Sequence, residues 1–420
     1  MVQDKLPKIG ITGCGYIVEE VHVPCLAKLQ TCVVTGFHEI KKENAEALKS
    51  AYLAALQKNG NPAFQVAKDE CKVYDNLDEM VKAVDVIDIA TPTRAHYEGI
   101  RSALVNGKHV MCERPMARNW WETQLNKDLK EKAKKVIFQM RNQAVWNPLL
   151  GDEAPKLLAD QHVIGAVESV RVLNADSMQK HTKEAPDRWD KFQNGGGALC
   201  DIGPNGYAVA YIWLGKPVPV SVKAEKIYIK EPEWKIAKVK QKITVEDDAH
   251  FIVNWQSKDG KTFSSDIEAT RGEKDWWPDG VVKGTKLKNN IYYEARGTKG
   301  VLEFPNVKVG LKVIVYFKLV GKDGIEKEIP FPPPEQDIEN ELYFREFIDA
   351  VRGKAKPRTD YDYAEEMLAA FGAAYLSEKL GRKEVTLDEF KKHCTTVAAG
   401  KKDPEEQVRA IIADITSFLL

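Results

Sequence analysis

Between residues 8 and 140, short apolar runs recur, and segments with helical spacing lie between them. The runs are KIGIT (8–12), CVVTGF (32–37), KVYD (72–75), DVIDIAT (85–91), KHVMCE (108–113) and KVIFQM (135–140). Between the second and third, NAEALKSAYLAALQKNG places its apolar residues three and four apart and closes on Gly60, a C-cap signal. Strands separated by helices pair through crossovers, which gives a parallel sheet covered on both faces. This constraint marks residues 1–140 as an α/β doubly wound domain of the Rossmann kind. The polar NGNPAFQVAKDE (59–70) reads as an excursion before the third strand.

Beyond it the texture changes. ESVRVLNA, VSVKAEKIYIK, QKITVEDDAHFIVNWQS, KTFSSDIEATR and VGLKVIVYFKLV alternate apolar with polar residues, with short turns such as KDGK and GKDG. That is the pattern of strands with one wet face, so residues 141–395 are expected to form an α+β domain around a large open antiparallel sheet. ELYFREFIDAVRG and AEEMLAAFGAAYLSEKLG read as helices that cover this sheet or dock on the first domain, and PFPPPEQD (330–337) as a rigid connector. Residues 396–420 form a C-terminal extension. The apolar stripe of DPEEQVRAIIADITSFLL needs a partner, expected in a neighbouring subunit.

Composition excludes several classes of function. Lysine plus arginine and aspartate plus glutamate each total 62 in 420 residues, so no net field exists to hold nucleic acid or an anionic membrane. No apolar run approaches the roughly 20 residues that span a bilayer. The short stretch from Met1 to Ile9 leaves no room for a signal peptide. Seven cysteines with no CxxC pair suggest reduced thiols in the cytoplasm and no metal centre.

The segment GITGCGYIVEE (10–20) follows a strand and opens a helix. There Gly13 permits a tight turn, and Gly15 lets the backbone approach a pyrophosphate at the helix N-terminus. Val18 stands where a third glycine is usual; that position governs packing of the helix on the strand. Glu39 lies just past the second strand, near the ~20-residue offset at which an acid bonds ribose hydroxyls. Lys41 and Lys42 offer the alternative, a site for a 2′-phosphate. Glu39 makes NAD the expected cofactor rather than NADP.

Two longer motifs carry a resemblance. The first, IATPTRAHYEGIRSALVNGKHVMCERPMA (89–117), contains Thr91-Pro92, His96, Gly107-Lys108-His109-Val110 and Glu113-Arg114-Pro115. The second is NGGGALCDIGPNGYAVAYIWLG (194–215), with RGTKGVLEF (296–304) as a weaker third. In these the chain resembles the Gfo/Idh/MocA oxidoreductases, the family of glucose–fructose oxidoreductase and inositol dehydrogenase, from residue 8 to about 390. The resemblance implies that VMCERPM ends a strand at the ligand edge of the sheet, with a cis bond before Pro115. It implies a tightly retained NAD held by Gly13, Cys14, Gly15, Tyr16 and Ile17 of the loop, and by His38 and Glu39. Ala90, Thr91, Pro92 and His96 belong to the same edge, Glu113 and Arg114 would face the cofactor, and Trp189 would wall it. A carbohydrate-like substrate is implied too, as is a homodimer or homotetramer formed through the antiparallel sheet.

The departures from the family bear on mechanism. Its catalytic lysine and histidine are replaced by Arg114 and Asn205, while the aspartate is kept as Asp201. Arginine, with a pKa above ~12, cannot trade a proton, and asparagine cannot accept one. Asp201 and Asn205 would share a helix face, although Pro204 places a helix start between them. The expected catalytic set is Asp201, Arg114, Asn205 and Tyr207; the expected substrate contacts are Arg114, His181, Asp201, Asn205 and Tyr292. The function expected is a dehydrogenase for a hydroxyl of a sugar, polyol or sugar derivative. Asp201 or a tyrosine (Tyr207, Tyr292 or Tyr293) would act as base, and Arg114 as a fixed charge for an anionic group. The alternatives are glycoside cleavage with no net redox change and a non-catalytic NAD- or sugar-binding regulator. Trp276 and Trp277 in RGEKDWWPDG would stack on a sugar or belong to a core or an interface. Glycines 195–197 suggest a tight approach rather than a phosphate cradle, and Cys14 and Cys112 read as small fillers.

Overall fold

The computed structural model describes residues 6–176, 189–230, 233–236, 239–271, 291–304, 307–309, 312–314, 316–331, 335 and 338–419. They form two compact units, one of Met1–Arg118, Glu122–Gln143 and Asp337–Glu365, the other of Asn119–Trp121, Ala144–Gln336 and Glu366–Leu420. The chain thus returns to its first unit late, and the C-terminal extension groups with the second unit rather than standing apart.

The first unit is built on six parallel strands: β1 (Lys8–Thr12), β2 (Val33–His38), β3 (Lys72–Tyr74), β4 (Val86–Ile89), β5 (His109–Cys112) and β6 (Phe138–Met140). Their order is β3-β2-β1-β4-β5-β6. It reverses between β1 and β4, and in open sheets of this kind ligands bind at the carboxyl ends of the strands at such a point. The stretch 59–70 is not wholly irregular, since Phe64–Glu70 is helical. Asn61 anchors the turn before it, accepting the Ala63 amide and donating to the Ala27 and Leu29 carbonyls. Helix Ile338–Val351 belongs to this unit and buries Tyr343, Phe344, Phe347 and Ile348.

The second unit holds a nine-stranded sheet. Its inner strands run in the order Ile291–Gly297, Val167–Asp176, Thr262–Arg271, Asp248–Gln256 and Val218–Tyr228. Contrary to the purely antiparallel expectation, Val167–Asp176 and Thr262–Arg271 pair in parallel. Helices within residues 191–213 follow the first of these strands, so no hairpin forces the antiparallel sense. Helix Gly203–Trp213 lies on one face of this sheet. A Cβ at Gly206 would come 3.0 Å from both Val172 and Ile267, so glycine there lets the helix seat closely without displacing them.

The C-terminal stripe is covered by its own chain. Helix Pro404–Ile415 buries Val408, Ile411, Ile412 and Ile415. Arg409 lies 4.1 Å from the Phe192 ring centre, and the Trp121 indole N–H donates to Gln407 at 2.9 Å. A neighbouring subunit is therefore not required to shield it. Among the described residues no helix is long and apolar enough to cross a membrane.

Candidate functional site

In the first unit the loop after β1 makes the turn its glycines imply. Gly13 has φ +88°, and a Cβ there would lie 2.6 Å from the Ala90 backbone. Its amide donates to the His38 carbonyl at 3.0 Å, and the Cys14 amide donates to Glu39 Oε2 at 2.8 Å. Glu39 therefore stands at the loop itself, also accepting the Ile40 amide through Oε1. His38 Nδ1 lies 3.0 Å from Thr12 Oγ1, and burial lowers the imidazole pKa. Tyr16 is exposed and Ile17 half-buried, while Val18 is buried at the start of a π-helical turn, Val18–His22. Cys14 is buried, and desolvation raises its thiol to about 12, so it is no nucleophile.

At the next strand end Ala90 and Thr91 are half-buried and Pro92 is exposed. His96 is buried with a ring nitrogen 2.8 Å from each of the Thr91 and Pro115 carbonyls, so it ties the ends of β4 and β5 together. Burial lowers its pKa against those two acceptors. The Arg114–Pro115 peptide is cis.

Glu113 is bound up within the protein rather than free to face a ligand. Its Oε1 accepts from Arg141 Nη1 at 2.6 Å and lies 3.0 Å from His22 Nε2. The other His22 nitrogen lies 2.8 Å from Asp88 Oδ2, and Arg141 also donates to Asn340 at 2.5 Å. Burial disfavours the Glu113 carboxylate, but Arg141, His22 and Arg114 outweigh it and hold the pKa well below the usual range. His22 is raised to about 9, since the charge of Asp88 and the two carboxylate bonds overcome desolvation. Arg114 lies 3.7 Å from Glu113 Oε2. None of His22, Asp88 or Arg141 stands in a sequence motif that announces the network.

In the second unit Asp201 ends a short helix, Ala198–Asp201, and Asn205 lies in the first turn of the next, with a break at Ile202. Arg271, at the end of its strand, pairs with Asp201, and its guanidinium lies 5.5 Å from the Trp189 ring centre. Arg271 escaped sequence reasoning because a lone arginine at a strand end carries no signal. Trp189 is buried against Ile243 and Val245. Asn205 Oδ1 is buried with no hydrogen-bond partner among the described residues, an acceptor available to a ligand.

Two expected residues are placed elsewhere. Tyr207 is 1% exposed, with its ring 4.9 Å from Trp255 and 5.8 Å from Phe371. Two residues along a helix turn a side chain about 200°, so it faces the core when Asn205 does not. Tyr292 pairs with Leu173, whose neighbour Val172 faces helix Gly203–Trp213; alternation therefore puts Tyr292 on the opposite side of the sheet from Asp201. Its hydroxyl donates to Glu294 at 2.6 Å. Tyr293 is on the helix side, but its hydroxyl is spent on Asn174. His181, Trp276 and Trp277 lie outside the described residues.

The first unit fits a dinucleotide. A Cβ on Gly15 would meet nothing within 4 Å, so open space flanks the loop where a pyrophosphate would pass. Thr91 Oγ1 is buried with no partner among the described residues, and Glu39 presents a carboxylate beside the loop. Of the two candidates for a 2′-phosphate, Lys42 is paired with Asp75 at 2.9 Å and Lys41 is exposed.

A glycine loop at the switch point of a doubly wound parallel sheet is the arrangement that binds dinucleotides, and the class of protein it defines here is a nucleotide-binding α/β one. Residues 7–140 match the family model described as oxidoreductase family, NAD-binding Rossmann fold, and residues 154–303 match the GFO/IDH/MocA C-terminal domain. The chain belongs to the Gfo/Idh/MocA oxidoreductase family, and its first unit is an NAD-binding Rossmann domain. It is 29% identical over 127 residues to a glucose-6-phosphate 3-dehydrogenase of Bacillus subtilis, covering 30% of this chain and 31% of that protein. It is 26% identical over 224 residues to a D-glucoside 3-dehydrogenase of Escherichia coli, covering 52% and 56%. These matches span about a third to just over half the length of those relatives. The fold is similar to a levoglucosan dehydrogenase solved with NADH and levoglucosan, with TM-score 0.68 and 18% identity over 91% of this chain and 100% of that one.

Proposed function

We propose that the protein is an NAD-dependent dehydrogenase acting on a hydroxyl of a sugar, polyol or sugar derivative. The observation that carries this is Asp201, a carboxylate paired with Arg271 at a helix break, kept where the family's lysine and histidine are replaced. Bound NAD would accept a hydride from the carbinol carbon. Asp201 takes the hydroxyl proton, so the alcohol becomes a ketone and both electrons leave with the hydride. Neither tyrosine at 207 or 292 is offered as base, because one packs in an aromatic core and the other donates to Glu294. The buried Asn205 Oδ1 accepts a substrate hydroxyl, and Arg114 supplies a fixed charge suited to an anionic substituent. Glu39 sets preference for NAD over NADP. Assembly into a dimer or tetramer through the sheet belongs to the same proposal.

The test is NAD reduction across a panel of neutral and acidic sugars and polyols, with the Asp201→Asn variant alongside. Turnover should fall by about 100-fold or more in the variant while NAD affinity stays unchanged. Retained turnover would remove Asp201 from the chemistry. Bound nicotinamide in purified protein, seen by mass spectrometry, without turnover of added NAD would favour redox-neutral cleavage or pure binding.

A further inference from the structure

We propose that Glu246 is the positioning residue for Asp201: its buried side chain anchors the glycine turn that carries the aspartate, and its protonation loosens that anchor. The proposal rests on Asp201 being the base assigned above.

Three successive amides converge on this one residue. The Gly197 amide lies 3.0 Å from both carboxylate oxygens, and the Leu199 amide donates to Oε1 at 2.9 Å. Between them the Ala198 amide donates to the Glu246 main-chain carbonyl at 3.0 Å. These are first-turn donors of helix Ala198–Asp201, which have no acceptor within the helix. The Asp201 amide in turn donates to the Gly197 carbonyl at 3.0 Å. One turn of backbone therefore separates Asp201 from a peptide that Glu246 holds.

The glycines follow from the same contact. A Cβ at Gly197 would stand 1.8 Å from the Glu246 carbonyl oxygen, and one at Gly196 would stand 2.1 Å from the Tyr375 hydroxyl. The turn can reach Glu246 and Tyr375 only without side chains there. Gly196 and Gly197 are thus the imprint of neighbours far along the chain, Tyr375 and Glu246.

The groups facing the carboxyl are the Gly197 and Leu199 amides, the main-chain amide of Glu246 itself, the Tyr375 hydroxyl from helix Tyr361–Lys379, and Cys200 from the short helix. Burial pushes both the Tyr375 phenol and the Cys200 thiol up, so both stay neutral. Burial also raises Glu246, to about 7, against the pull of the Leu199, Tyr375 and Gly197 hydrogen bonds. A carboxylate draws amide donors more strongly than a neutral carboxyl does. The anchor therefore tightens as pH rises through neutrality and slackens below it.

The experiment is amide hydrogen exchange of the peptide spanning 196–201 in the intact protein without substrate, expressed as protection at each pH. From about pH 6 to about pH 8, either side of that value, wild-type protection should rise by about tenfold, the gain expected when charged hydrogen bonds replace neutral ones. In Glu246→Gln, which keeps the shape but cannot ionise, protection should be flat. Flat protection in the wild type overturns the proposal without recourse to any variant. A rise in Glu246→Gln equal to that of the wild type overturns it as well. Because no turnover is read, neither result depends on Asp201 being the base. The pH profile of kcat/KM then joins the two: a limb near 7 in the wild type should be absent from Glu246→Gln, and its persistence there would show that Glu246 does not act on Asp201.

Discussion

Glu39 is the side chain proposed to select the cofactor. Its carboxylate is held against the glycine loop by the Cys14 amide, while Lys42 is paired away with Asp75. A negative charge beside the loop suits ribose hydroxyls and opposes a 2′-phosphate. Glu39→Ala should therefore weaken NAD binding by roughly ten- to a hundredfold, the worth of hydrogen bonds to a charged group, and should narrow the margin over NADP. Calorimetric titration with both nucleotides checks this; an unchanged ratio would move specificity away from Glu39. The turn at Gly13 and the placement of Glu39 beside the loop were legible at this scale because both follow from local backbone and offset. Tyr207 and Tyr292 were not, since which way a side chain turns depends on the helix phase and the strand register.

At the scale of elements, the C-terminal helix makes the same point. Its apolar stripe was visible in the sequence, but not what would cover it. In the structure Val408, Ile411, Ile412 and Ile415 are buried in the chain's own second unit, beside the Lys191–Asn194 segment that leads into the glycine turn. Ile412→Ala should cost about 2–5 kcal/mol in denaturant unfolding, as cavity formation in a core does. The oligomeric state by size exclusion should not change. Dissociation at little cost to unfolding would instead put this helix at an interface. The turn Val18–His22 is a second case: loss of the third glycine was readable, but not the π-helical widening that carries His22 to Asp88 and Glu113.

At the scale of the molecule, stability should respond to pH through that buried histidine. His22 is fully enclosed and is raised from 6.5 to about 9 by the Asp88 charge and the two carboxylate bonds, despite desolvation. A base whose folded pKa lies above its unfolded value contributes fully below the unfolded value and loses that contribution as pH rises through the folded one. His22 should therefore stabilise the fold by about 3 kcal/mol below pH 6.5, with the loss spread from there to about 9. Thermal unfolding of the wild type should fall over that window more steeply than that of His22→Gln. Parallel slopes would show that His22 is neutral in the folded protein.

The sequence by itself determined the parallel doubly wound unit, the largely antiparallel second unit, the glycine loop with Glu39, and the motif that delivers Asp201. Each is written in residues near one another along the chain, where periodicity, turn chemistry and fixed offsets act directly. Tertiary structure alone decided the partners of the charged groups: Arg271 for Asp201, Glu246 for the glycine turn, and His22, Asp88 and Arg141 around Glu113. It also decided that helix Ile338–Val351 returns to the first unit and that one strand pair runs parallel. Such pairings join residues tens to hundreds of positions apart, and burial, which makes an ion pair or a shifted pKa matter, exists only once the chain has closed around them.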